Sequence, residues 1–150
     1  GGDGNDVIYA MAHLGRNNPA QHEEWKYKPF MGIYTDDRLY GEDGDDILIG
    51  SEGDNIIDGG KGSDRMIGSE GSDFFIIEKS DDGIDLDVIL DFTNTDQIGL
   101  KDIQVDDVSI QVDGNDTKIY ADEQHIATLE GYNDLVDDDL KALMFEVGIG

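Results

Sequence analysis

Residues Gly32–Ile76 divide into five nonapeptides with nothing left over: GIYTDDRLY, GEDGDDILI, GSEGDNIID, GGKGSDRMI and GSEGSDFFI. A further copy, GGDGNDVIY, opens the chain at Gly1–Tyr9. Each approximates G-G-x-G-x-D-x-U-x, where U is a large apolar residue. A fixed period of this length is the mark of a parallel β-helix, whose coils bury too little alone and become stable only when stacked.

Each position has a physical reason. The eighth is Ile8, Leu39, Leu48, Ile57, Met66 or Phe75, apolar in every copy, while the seventh and ninth are mixed and include Arg38, Asp58 and Arg65. Side chains alternate between faces along a strand, so this is one inward residue flanked by two outward ones. The spacing predicts strands of about three residues with position eight buried. The six residues before each strand must turn tightly and aim backbone carbonyls at a cation, and glycine supplies the φ > 0 conformations such a turn needs. The sixth position is Asp6, Asp37, Asp46, Asn55, Asp64 or Asp73. All but Asn55 are carboxylates, the hard oxygen ligands that Ca²⁺ prefers. The candidate ligands in the turns ahead of them are Gly2, Asp3, Gly4, Asp43, Gly44, Gly53, Gly60, Gly62 and Gly71.

This pattern resembles the RTX, or hemolysin-type calcium-binding, repeat, over residues 1–9 and 32–76. The resemblance implies an all-β fold: a right-handed parallel β-roll with two nonapeptides per coil, loops stacked along two edges, and a Ca²⁺ ion between successive loops on each edge. From Phe74 onward, GSDFFII…DVILDF…DQIGL is similar to the segment that follows such repeats in secreted serralysin-type proteases. That similarity implies that Asp87 and Asp91 close the last calcium site, and Gly99 stands where the family usually carries Asp. The whole then looks like the C-terminal module of a bacterial protein exported through a type I system. Its implied partners are the upstream domains of its parent and the export apparatus. The chain opens directly on a repeat with no signal peptide ahead of it, and is expected to be a piece of a longer protein. Two other parents are compatible with the residues. GIYTDDRLYG is similar to the first repeat of the R-modules of secreted mannuronan C5-epimerases, which would make a polysaccharide the partner. The end of a large bacterial adhesin is the other.

If two nonapeptides make a coil, loops two repeats apart share an edge. Loop 1–6 then stacks on 41–46, and 41–46 on 59–64; on the other edge 32–37 stacks on 50–55, and 50–55 on 68–73. This gives about three to four Ca²⁺ ions in the roll. The 1–6/41–46 and 41–46/59–64 pairs, with Asp at every sixth and Gly at every fourth position, are expected to fill. Pair 50–55/68–73, with Asn55 for one carboxylate, should bind more weakly. Pair 32–37/50–55 should be empty or distorted, because Ile33 and Thr35 replace turn glycines.

The totals agree with a thin core and a charged exterior. The chain has 150 residues, 37% of them hydrophobic, and a net charge of −26. Such a chain repels itself without a counter-ion, and the composition borders on that of disordered proteins. Order only in the presence of calcium follows. The same acidity argues against nucleic acid or an anionic membrane as partner, and no apolar run is long enough to span a bilayer. There is no cysteine, in keeping with an exported protein cross-linked by metal.

The period is broken by residues 10–31, an insertion holding both prolines and the only Trp. Asn18-Pro19-Ala20-Gln21 reads as a helix start, so a short helix or compact loop is expected there. Residues 77–150 read as a capping and secretion-signal segment, packed with the roll 1–76 as one module. Within it VSIQV, TKIYA and HIATLE form an antiparallel meander, with turns at Asp113–Asp116 and Asp122–Gln124, that covers the open end of the roll. Leu140, Leu143 and Met144 fall at helical spacing and predict a short helix followed by an apolar tail. No catalytic constellation is present. His22-Glu23-Glu24 lacks a second His four residues on, His13, His22 and His125 are scattered, and Gly68-Ser69-Glu70-Gly71 lacks nucleophile-elbow spacing. The module is therefore expected to be non-enzymatic.

Overall fold

In the computed structural model, residues 2–5, 7–9, 37–80, 83–133 and 137–147 are described. The nonapeptides supply β1 (Gly2–Asp3), β2 (Val7–Tyr9), β3 (Arg38–Tyr40), β4 (Glu42–Asp43), β5 (Ile47–Ile49), β6 (Ile56–Asp58), β7 (Arg65–Ile67) and β8 (Phe74–Glu78). Beyond them come β9 (Asp87–Ile89), β10 (Gln97–Lys101), β11 (Val108–Asp113), β12 (Asp116–Ala121), β13 (Gln124–Leu129), α1 (Asp137–Lys141) and β14 (Met144–Val147).

Alternate repeats feed alternate sheets, as an array of two repeats per coil requires. One sheet has the order β2-β5-β7-β9-β13-β12-β11 and the other β3-β6-β8-β10-β14. Pairing is parallel throughout except within β11-β12-β13, which is antiparallel. The register places eighth-position residues directly over one another. Ile8, Leu48, Met66 and Ile89 form one column, and Leu39, Ile57, Phe75 and Ile98 form the other. Leu48, Ile57, Met66 and Phe75 are fully buried, whereas Ile8, at the outer end of its column, is half-buried. Each such side chain contributes about 1.5–3 kcal/mol. A core this thin therefore depends on every coil.

The parallel stack carries on past Ile76, where the repeat pattern stops being legible. β9 pairs with β7 and β10 with β8, each continuing its sheet. The expected meander is present and joined more intimately than by packing alone, because β13 pairs with β9 and so extends the sheet itself. Its second turn carries positive φ at Asp122 and Glu123, the pattern of a two-residue hairpin turn matched to strand twist. Phe92 bridges the end of the roll to the cap, 6.2 Å from Phe75 and 5.0 Å edge-on from Tyr132.

Two expectations need correction at the C-terminus. Among the described residues the helix runs over Asp137–Lys141, so Leu143 and Met144 lie outside it. In place of a simple apolar tail, Met144–Val147 pairs in parallel with β10, with Met144 over Ile98. Sheet pairing overrode helical spacing, which four residues specify only weakly. Gly99 is neither ligand nor cap: it lies buried in β10, where a Cβ would come within 2.8 Å of Phe74 and of Val147. The insertion 10–31, with its expected helix at Asn18–Gln21, lies outside the described residues.

Candidate metal centre

Among the described residues the loops stack in the expected order on both edges; of loop 32–37 only Asp37 is described, so the expected distortion at Ile33 and Thr35 lies outside the described residues. On one, the Gly4 N–H donates to the Asp43 carbonyl and the Gly44 N–H to the Lys61 carbonyl, both at 2.9 Å. On the other, the Gly53 N–H donates to the Glu70 carbonyl at 2.8 Å. Gly2 and Asp3 pair in parallel with Glu42 and Asp43. The close approach explains the fourth-position glycines. Gly62 sits at φ +119°, and a Cβ there would collide with the Gly44 carbonyl of the loop above. Gly71, also at position four, adopts φ +129° against Gly53, and Gly60, at position two, adopts φ +88° against Glu42.

Two ladders of side chains tie the loops together in opposite senses. At position five, Asn5 accepts the Asp45 N–H at 2.9 Å, Asp45 the Ser63 N–H at 2.9 Å and Asp54 the Ser72 N–H at 2.8 Å. At position six the direction reverses. Asp64 Oδ1 accepts the Asp46 N–H at 2.8 Å, Asp73 Oδ1 the Asn55 N–H at 2.9 Å, and Asn55 Oδ1 the Asp37 N–H at 3.2 Å. Asp37 Oδ2 takes the Ser51 hydroxyl at 2.8 Å.

The position-six ladder continues through two residues beyond the repeats. Asp87 Oδ1 accepts the Asp64 N–H at 3.0 Å and Asp96 Oδ1 the Asp73 N–H at 2.8 Å. Asp87 was expected near the last loop and occupies the sixth-position place in its column. Asp91 instead receives two backbone donors, the N–H of Gly68 at 2.9 Å and of Ser69 at 2.7 Å. Asp96 was not anticipated. Its signal was available: Asp87 and Asp96 are nine residues apart, each followed two residues later by Ile, as in the repeats proper. Its Oδ2 is held by Thr93 N–H at 2.8 Å. Asp6 lies outside the described residues.

The sixth-position carboxylates are where the chemistry concentrates. Asp46, Asp64 and Asp73 are buried. One oxygen of Asp64 and of Asp73 is engaged as above; the other, Oδ2, is buried with no hydrogen-bond partner. A buried, unsatisfied carboxylate oxygen is costly unless a cation compensates it. These oxygens share their space with backbone carbonyls. At Gly41, a Cβ would meet both the Gly59 carbonyl and Asp46 Oδ2; at Gly59 and Gly68 it would strike Asp64 Oδ2 and Asp73 Oδ2. Position one is thus glycine because a Cβ would fill the cradle. Among the described residues, no three His, Cys, Asp or Glu side chains converge as a metal cluster, so carbonyls must supply much of the coordination. An all-oxygen donor set of carbonyls and carboxylates fits Ca²⁺.

The electrostatics agree. Burial pushes the Asp64 carboxyl from 3.8 up to about 7; the Asp46 N–H offsets part of this, and the Asp46, Asp45 and Asp58 charges add to it. Burial raises Asp73 to about 6, against the hydrogen bonds from Asn55 and with the charges of Asp96 and Asp91. Burial also raises Asp87 and Asp96. The metal-free folded chain therefore binds more protons than the unfolded chain between about pH 4 and pH 7, and its stability falls as pH rises through that window. In excess chelator, more β structure is expected near pH 4.5 than near pH 8 by circular dichroism. Equal signals would mean that these carboxyls are not buried without metal.

His13 and His22 lie outside the described residues. His125 stacks on Tyr120 at 5.0 Å, with Nε2 3.1 Å from the Ala127 carbonyl and 3.0 Å from Thr128 Oγ1. Thr117 is buried and donates its hydroxyl to the Tyr132 carbonyl. Among the described residues no helix is long and apolar enough to cross a membrane.

The family profile of the RTX calcium-binding nonapeptide repeat (four copies) matches residues 1–13, 32–66 and 40–75. No curated protein matches the chain. Among the described residues, the match covers the stacked loops of the repeats and the eighth-position residues from Ile8 to Phe75, and modules of this kind are structural and non-catalytic. On its repeats and its parallel β-roll, the chain is an RTX repeat protein, a calcium-binding module.

Proposed function

We propose that this module is unfolded in the calcium-poor cytoplasm, is exported through a type I system, and folds outside the cell, where it stabilises and caps a larger extracellular protein. The observation that carries the reading is the recurrence of a buried carboxylate oxygen without a donor, at Asp64 and Asp73, beside cradles that only glycine leaves open. Bound calcium supplies the positive charge that these oxygens lack. The chain's own residues do the rest. Glycine turns bring the carbonyls together, the position-five and position-six ladders set the spacing of the loops, and the β11-β12-β13 meander covers the end of the core. Binding to the folded state alone stabilises it by about 2.7 kcal/mol per site when calcium is at a hundred times the site's Kd. Weak extracellular-type sites, of Kd about 10⁻⁴–10⁻³ M, suffice if several act together. The partners in this reading are the upstream domains of the parent protein and the export apparatus.

Calcium titration followed by far-ultraviolet circular dichroism tests it. In excess chelator at neutral pH the β signal is expected to be lost, and to return cooperatively as calcium approaches the millimolar range. A full β signal in chelator would overturn the proposal.

A further inference from the structure

The gaps between stacked loops are not alike. At Asp64 and Asp73 the outer atom of the sixth-position side chain is a carboxylate oxygen without a donor. At Asn55 the same place is taken by the amide nitrogen. Asn55 Nδ2 lies 2.8 Å from the Ser51 carbonyl, 3.0 Å from the Gly53 carbonyl, 3.2 Å from the Gly68 carbonyl and 3.0 Å from Asp73 Oδ1. Two of these acceptors belong to its own loop and two to the next loop on that edge. They form an all-oxygen cage drawn around a donor. The side chain is buried, and its orientation is fixed from the other side, where Oδ1 accepts the Asp37 N–H. Turning the amide over would set its NH₂ against that N–H and leave Oδ1 facing four other acceptors.

We infer that Asn55 is an internal plug: its amide NH₂ occupies the cation position between loops 50–55 and 68–73, so this gap is closed by hydrogen bonds and takes no calcium. The inference rests on the calcium reading above and goes beyond a merely weakened site. A Ca²⁺ ion needs its oxygens at about 2.3–2.6 Å, and it cannot share a cage whose centre holds a nitrogen. The amide carries no net charge, so this gap is assembled without metal. Calcium dependence then falls on gaps whose sixth residue is aspartate.

The test is a reciprocal exchange, read as bound ions per chain by native mass spectrometry and by equilibrium dialysis with calcium. Asn55→Asp removes the donor and adds a carboxylate to an existing cage; it is expected to bind about one more ion than the parent. Asp64→Asn places an amide where Asp64 Oδ2 has no donor; it is expected to bind about one fewer and to fold, since Asn55 shows that the position accommodates an amide. The double variant should return to the parent count. If Asn55→Asp binds no more ions than the parent, or stays unfolded in saturating calcium, the plug is overturned. If Asp64→Asn keeps the parent count, an amide does not close such a gap and the plug is likewise overturned. If the parent and all variants bind no calcium, the calcium reading itself fails and the plug fails with it.

Discussion

Leu48→Asp is expected to leave the chain unfolded even in saturating calcium. Leu48 has no exposed surface and lies in register between Ile8 and Met66 at the centre of its column. Removing its apolar side chain alone costs about 2–5 kcal/mol. A carboxyl with no donor in reach adds about 2–7 kcal/mol for the buried polar group. Against a domain stability of about 5–15 kcal/mol, that is enough to abolish folding. Added calcium cannot compensate, because the loss lies in the core and not in a loop. The check is the circular dichroism signal at high calcium. A variant that melts within a few degrees of the parent would show that position eight does not face a core.

Gly62→Ala is expected to damage the roll at its edge. Gly62 holds φ +119°, and the added Cβ meets the Gly44 carbonyl, with Asp45 Oδ1 at 3.0 Å. Neither obstacle is the far end of a flexible side chain, for Asp45 Oδ1 is itself held by the Ser63 N–H. Strained backbone costs of order 1–3 kcal/mol before the clash is counted, and the loops must also move apart where they would share a cation. The calcium midpoint of folding should rise by about tenfold or more. Gly114→Ala is the control. It sits at φ +65° in the hairpin turn with nothing within 4 Å of an added Cβ, so only the conformational cost of about 1–2 kcal/mol remains. Equal shifts in the two variants would mean that loop-to-loop contact at Gly62 is unimportant.

Residues with a single possible role were readable in advance. An apolar residue every nine positions between polar neighbours has one reading, and Leu39, Leu48, Ile57, Met66 and Phe75 all proved buried. The stacking order of the loops followed from two repeats per coil, and the meander from its alternation and its turns. What stayed hidden was whatever depends on a partner distant in sequence. Asp96 carried no assigned role, because the glycines that frame the motif are absent around it. Asn5, Asp45 and Asp54 at position five carried no assigned role, because nothing in a single repeat shows that the next loop's N–H will lie above. Met144 fits either period, and only the open edge of β10 decides it. Asn55 read as a poorer ligand, because a one-dimensional pattern counts charges and does not show a donor already surrounded by four acceptors.

A stack of identical coils is also a one-dimensional crystal, and nothing in the repeat itself says where growth should stop. Each parallel coil offers its neighbour the same hydrogen-bonding edge, at a spacing of about 4.8 Å. The meander changes the template. After β9 the sheet is continued by β13 and then reverses direction twice, so its last strand is β11, whose residues after Val108 are half-buried or exposed and which ends in Asp113. The other sheet stops at β14, four residues long, with Phe145 and Glu146 exposed. Two rolls meeting at these ends would present edges of unequal width and like charges. Short, charged and redirected edges are the means by which sheet proteins avoid joining end to end, so the meander and β14 keep a repeat array finite.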